Sequence, residues 1–249
     1  MNTPASSPGP QSPVPNPPSP APNPPGLFIT GTSTEVGKTY VAAMIARALA
    51  GAGRRVGVYK PAASGCRREA GALVADDATL LWEAAGRPGD LEDVCPQRFL
   101  APLAPDRAAR AEGRRVDSAL LRTGVDRWRQ TSDVVLVEGA GGLMSPLADD
   151  AYNIDLAADL GYPLVIVAAN VLGVINAALQ TLIAAQTRAP RLPIAGIVLN
   201  QPAIRSDDAS QAYNAEDLAA RSPAPLLATV AHGATDVTPR VDWFQLASS

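Results

Sequence analysis

Of the 21 basic residues in this chain only two are lysines, Lys38 and Lys60; the rest are arginines. Lysine is a compact ammonium point charge that enters a tight loop, whereas arginine is a planar fork that stays protonated. Lys38 belongs to the run Gly31-Thr32-Ser33-Thr34-Glu35-Val36-Gly37-Lys38-Thr39, a glycine-containing turn ending in Lys-Thr. In a phosphate-binding loop the backbone N–H groups point at the phosphates, the lysine reaches the β- and γ-phosphates, and the threonine hydroxyl takes Mg²⁺. The strict pattern places its first glycine at position 32; here that residue is Thr32, and Gly31 stands one place earlier. Lys60 lies in Val58-Tyr59-Lys60-Pro61. The two lysines predict an enzyme that acts on phosphates.

A second cluster of chemistry follows Val134-Val135-Leu136-Val137, where the chain turns polar at Glu138 and enters Gly139-Ala140-Gly141-Gly142. In doubly wound sheets, ligands gather at the carboxyl ends of strands, which places Glu138 to hold Mg²⁺ opposite Thr39. Alone, an acid after a strand reads as a solvated loop residue; the phosphate loop favours the metal role. Asp76-Asp77 opens a helix, and a cap serving the helix dipole explains that pair as well as a ligand does. Asn200 either reads a base edge or shapes a turn. The lone His232 reads as a surface or loop residue, and Tyr59 and Trp82 as core.

These residues need elements to hold them. The spacing predicts strands over 27–30, 55–59, 133–137, 164–167 and 194–199, and helices over 38–50, 76–85, 117–130 and 174–188. Runs that are apolar throughout suit strands covered on both faces. Their alternation with helices predicts one α/β domain over 26–249, a phosphate-loop NTPase-like fold with a mostly parallel sheet and helices on both faces.

Composition limits the functions open to this domain. With 47% hydrophobic residues among 249, it buries one substantial core. A net charge of −3 and few aromatics exclude a broad nucleic-acid surface. Residues 1–25 hold 11 of the 24 prolines and no charged side chain, which predicts a disordered tail and no secretory signal. No apolar run is long enough to cross a bilayer. Cys66 and Cys95 lack metal-ligand spacing and read as two free thiols in a reducing cytosol, so a cytoplasmic protein is expected.

The runs GTSTEVGKT, VYKPAASG at 58–65, DDATLL at 76–81, VEGAGG at 137–142 and LGVIN at 172–176 together resemble the dethiobiotin synthetase family. They occur in the family's order from Leu27 to about Gly233. The resemblance implies a homodimer that uses ATP, Mg²⁺ and CO₂ to close the ureido ring of dethiobiotin on 7,8-diaminopelargonic acid, through a carbamate and a carbamic–phosphoric anhydride. It implies that Glu35, Val36, Gly37, Lys38, Thr39 and Tyr40 bind the nucleotide, with Gly139, Ala140 and Gly141 beside them. Thr39, Asp77 and Glu138 would complete the Mg²⁺ shell, and Lys60 would join Lys38 in catalysis. Ser64 and Thr34 would contact the diamine. Asn200, Gln201, Ala231, His232 and Gly233 would border adenine. Leu172, Gly173 and Asn176 would reach the neighbouring subunit's substrate carboxylate from a helix N-terminus. The chain departs from the family pattern at Ala104-Pro105-Asp106, at Val171 and at Ala228-Thr229-Val230-Ala231.

Two rivals fit less well. A switch ATPase of the partition or division-site type needs a second lysine where this chain has Ser33, and leaves Lys60 and Ser64 unexplained. A corrin-carboxylate amide synthetase carries a glutaminase domain with a nucleophilic cysteine, for which this chain has no room.

Overall fold

The apolar runs pair side by side. In the computed structural model, which describes residues 23–204 and 207–249, six strands form one parallel sheet. They are β1 (Gly26–Gly31), β2 (Val56–Tyr59), β3 (Val134–Gly142), β4 (Leu164–Ala169), β5 (Ile194–Asn200) and β6 (Leu226–Val230). Their order across the sheet is β6-β5-β4-β1-β3-β2. Leu27, Phe28 and Ile29 are consecutive and fully buried, as are Val134, Val135 and Val137, so both faces of the sheet are covered. Residues 1–22, most of the expected tail, lie outside the described residues. The Pro25 carbonyl accepts a hydrogen bond from Val135 at the start of the sheet.

Helices α1 (Lys38–Gly51), α2 (Asp76–Ala84), α3 (Asn153–Leu160), α4 (Val174–Arg188), α5 (Asn214–Arg221) and α6 (Trp243–Ala247) pack around this sheet. In α1 the run Val41 to Ala46 is buried without interruption, because small alanines let the helix sit close to the sheet and to α2. The chain leaves β1 toward β2 and β3 on one side and later crosses to β4, β5 and β6 on the other. The order therefore reverses at β1, and the crevice at its carboxyl end is where such sheets bind ligands.

One expected helix is two. The span 117–130 is broken into Ser118–Thr123 and Asp126–Thr131. Between them, a Cβ on Gly124 would come within 2.3 Å of the Tyr59 hydroxyl, which donates to the Leu120 carbonyl at 2.7 Å. The chain bends there to admit the buried tyrosine ring. The strand expected over 133–137 starts one residue later and continues to Gly142, so Glu138 lies inside it.

Candidate active site

All the sequence-predicted phosphate and metal residues meet at the carboxyl edge of the sheet. The loop after β1 folds most tightly at Gly31, where a Cβ would stand 2.8 Å from the Ser33 carbonyl and the Val36 side chain. That contact is why glycine stands at 31 and threonine suffices at 32. Gly37 takes the left-handed conformation (φ +88°), and a Cβ there would collide with the Asn200 amide at 2.1 Å. Asn200, at the end of β5, donates to the Val36 carbonyl at 2.9 Å. Its amide therefore braces the phosphate loop, a role the sequence did not reveal. Lys38 caps the inside of the loop, donating to the Ser33 carbonyl at 3.3 Å.

Lys60 follows β2 directly and is 3% exposed. Its ammonium donates to Glu138 Oε1 at 2.7 Å and pairs with Asp77 Oδ2 at 3.1 Å. Thr39 donates to the same Glu138 oxygen at 2.8 Å. Burial alone would push Lys60 below its ordinary value, but Glu138 and Asp77 outweigh it and hold Lys60 above the usual lysine range. Burial would raise Asp77, yet the Lys60 charge and hydrogen bonds from Lys60 and Thr39 hold it below the usual carboxylate range. Lys38 is pushed down by burial, with Glu138 pulling it up and Lys60 pushing it further down. Asp76 and Asp77 both stand in the first turn of α2, where a negative charge suits the helix dipole, but the capping hydrogen bond itself is not made. Ala75 is the N-cap of α2, no side chain caps it, and the Asp77 carboxylate turns to Lys60.

Glu138 Oε2 is buried and has no hydrogen-bond partner. A buried carboxylate oxygen without a partner is costly unless a positive group meets it. Among the described residues no group of three or more His, Cys, Asp or Glu gathers. Mg²⁺, however, is held by one or two carboxylates together with substrate phosphates. Glu138, Asp77 and the Thr39 hydroxyl fit that donor set.

Asp77 and Thr39 open onto a cavity of about 750 Å³ lined also by Thr34, Glu35, Gly37, Lys38, Tyr40, Lys60, Ser64, Ala140 and Gly141 among others. A neighbouring cavity of about 290 Å³ is bounded by Gly37, Tyr40, Asn200, Gln201, Pro202, His232 and Gly233. Tyr40 stands between the two and donates its hydroxyl to the Ala234 carbonyl. Ala231 is exposed and does not line this cavity. Val36 is buried under the loop and Gly139 is buried in β3 beside Glu138, so both contribute backbone only. Leu172, Gly173 and Asn176 are exposed at the start of α4 and do not line the Lys38 cavity. His232 is exposed in a loop, its Nδ1 3.0 Å from the Pro202 carbonyl; Tyr59 is core and Trp82 packs at the core's margin.

The reversed parallel sheet, the lysine loop at its switch point and the carboxylate at the end of β3 define a phosphate-loop nucleotide-binding protein. A family model described as an AAA domain matches residues 25–237. The chain is 45% identical over 214 residues to the ATP-dependent dethiobiotin synthetase BioD of Rhodopirellula baltica, covering 82% of each chain. It is 45% identical over 205 residues to the enzyme of that name from Anaeromyxobacter dehalogenans, covering 81% of this chain and 89% of that one. The fold is also that of the MinC:MinD cell division protein complex of Aquifex aeolicus, with a TM-score of 0.52 at 17% identity over 89% of this chain and 85% of that one. The chain belongs to the ATP-dependent dethiobiotin synthetase family, within the AAA-domain group. The division-protein likeness is one of fold alone.

Proposed function

We propose that this protein is the ATP-dependent ligase that closes the ureido ring of dethiobiotin from 7,8-diaminopelargonic acid and CO₂ in biotin biosynthesis. The observation that carries the reading is the buried Lys60 ammonium, held by Glu138 and Asp77 in the same cavity as the phosphate-loop Lys38. One amine of the substrate takes up CO₂ as a carbamate. A carbamate oxygen attacks the γ-phosphorus of ATP, the bond to the β-γ bridging oxygen breaks, and ADP leaves with that electron pair. The second amine then attacks the carbonyl carbon of the mixed anhydride, expels phosphate, and loses its proton as the ring closes.

The Lys38 and Lys60 ammonium groups would offset negative charge that moves to the bridging oxygen, where preorganised donors contribute most. Bound Mg²⁺, held by Thr39, Asp77 and Glu138, would supply further neutralisation of the phosphates. Leu80, Leu103 and Pro105 give the cavity an apolar wall suited to an alkyl chain, and Thr34 and Ser64 give it hydroxyls suited to amines. In the smaller cavity Asn200 has committed its Nδ2 to Val36, which leaves Oδ1 to accept from the exocyclic amine of adenine.

The reading extends to assembly. Leu172 is 80% exposed and Ile183 62% exposed along α4, a face that suits a second copy whose substrate carboxylate meets Leu172, Gly173 and Asn176. Among the described residues no helix is long and apolar enough to cross a membrane, and Cys66 and Cys95 are buried free thiols, which suits a cytoplasmic homodimer. Incubation with diaminopelargonate, bicarbonate, Mg²⁺ and ATP, followed by mass spectrometry, is expected to yield dethiobiotin and ADP. ATP hydrolysis without dethiobiotin would overturn the reading.

A further inference from the structure

Asn153 is fully buried at the first position of α3, yet its side chain serves a different element. Its Nδ2 donates to the carbonyls of Ala140 at 2.6 Å and Gly142 at 2.8 Å, with Ser145 at 3.3 Å. Its Oδ1 accepts from the Ala140 N–H at 3.0 Å. One amide thus holds both polar groups of Ala140 and the glycine-rich end of β3 at Gly142. Helix α3 does not need this side chain as a cap, because Asp155 already accepts from the Tyr152 N–H at 2.9 Å. The fit is close: a Cβ on Gly139, the residue after the metal-binding carboxylate, would lie 2.5 Å from Asn153 Oδ1.

The clamp reaches the phosphate loop. Ser145 Oγ accepts from the Gly142 N–H at 2.9 Å, and the Leu143 N–H donates to the Gly31 carbonyl at 3.2 Å. Ala140, Gly141 and Ser145 line the Lys38 cavity.

We propose that Asn153 is a positioning residue of this site, fixing the end of β3 after Glu138 so that the carboxylate keeps its place against Thr39, Lys60 and the metal. The inference rests on the phosphoryl-transfer reading above. A buried asparagine with this inventory can donate twice and accept at one edge; alanine removes its bonds to the Ala140 and Gly142 carbonyls and to the Ala140 N–H. Partners that orient a metal ligand cost about 10–100-fold in metal affinity or activity when removed.

The test compares Asn153→Ala and Ser145→Ala with Leu156→Ala, a core variant of the same helix whose side chain is fully buried. Mn²⁺ is titrated onto the ADP-loaded protein, and kcat and melting temperature are measured alongside. Asn153→Ala is expected to weaken Mn²⁺ binding and lower kcat by about tenfold or more each. Ser145→Ala moves both in the same direction by less, and carries the test if Asn153→Ala does not fold. Leu156→Ala lowers the melting temperature and leaves Mn²⁺ affinity within about twofold, as a purely structural loss would. Unchanged Mn²⁺ affinity in the clamp variants, or an equal change in Leu156→Ala, would overturn the inference. A wild-type protein that binds Mn²⁺ and ADP yet makes no dethiobiotin would overturn the assigned reaction and leave the clamp standing.

Discussion

Glu138 and Asp77 flank one lysine, but their environments make them unequal. Glu138 is 1% exposed and accepts from Lys60 and Thr39 on a single oxygen, whereas the Asp77 side chain is 54% exposed. Removing one partner of a buried ion pair costs about 3–5 kcal/mol, because the other charge stays buried. Glu138→Gln is therefore expected to abolish turnover and also lower the melting temperature by about 6–20 °C by calorimetry. Asp77→Asn, at a half-exposed site, costs less than about 1 kcal/mol in stability while raising the Mg²⁺ concentration for half-maximal activity. Equal thermal losses in the two variants would contradict this ranking. Lys60→Arg keeps the charge but not the shape, and kcat is expected to fall about 100-fold or more with circular dichroism unchanged. At this scale Lys38 and Lys60 were legible because a rare residue type followed a short apolar run, and Glu138 because it ended one. Asn153 was not: nothing in Tyr152-Asn153-Ile154-Asp155 points to the end of a strand 13 residues earlier.

Helix α1 and the loop after β6 meet through Tyr40, whose hydroxyl holds the Ala234 carbonyl beside His232 and Gly233. On the proposed function the bond lies on the base side of the site, away from the transferring phosphoryl group. Tyr40→Phe is expected to raise KM for ATP about fivefold, the worth of one hydrogen bond, and to leave kcat unchanged in steady-state assays. A fall in kcat with KM unchanged would place Tyr40 in the chemical step. Among the elements, the span predicted for α4 matched fully, because it is long, periodic and opened by Gly173 in the left-handed conformation. The expected helix over 117–130 failed because a tertiary contact, the Tyr59 ring against Gly124, overrode a pattern that looked continuous. Strand β6 went unread since its residues are half-buried at the sheet's edge and carry no apolar run as long as the others.

At the scale of the molecule, two features can be checked without substrate. Asp133 joins β2 to β3, accepting from the Arg55 N–H at 2.8 Å and its guanidinium at 2.6 Å; these bonds hold its carboxyl at about 2 against an ordinary 3.8. A depressed carboxylate contributes stability that is complete above the unfolded value and lost as pH falls through the folded one. Asp133→Asn is thus expected to flatten stability against pH between about 4 and 2. The pair is solvent-exposed, so the effect is about 1 kcal/mol or less in urea melts. Light scattering is expected to give twice the chain mass, and deletion of residues 2–22, which carry no charged side chain, to leave that mass and kcat/KM unchanged. A fully active monomer would remove the shared-site proposal.

The order of the sheet carries a kinetic consequence. Lys38 follows β1, Lys60 follows the outermost strand β2, Glu138 sits in β3 between them, and Asn200 ends β5, so the site draws on chain positions more than 160 residues apart. Parallel strands joined by long crossovers form slowly, because loop closure must precede each pairing. No fragment lacking β3 can bring Lys60 to Lys38, and no early folding species with only β1 and α1 can hold a triphosphate against a carboxylate. Refolding followed by recovered nucleotide binding is therefore expected to report the final assembly of the whole sheet, rising with the last phase of native signal and never ahead of it.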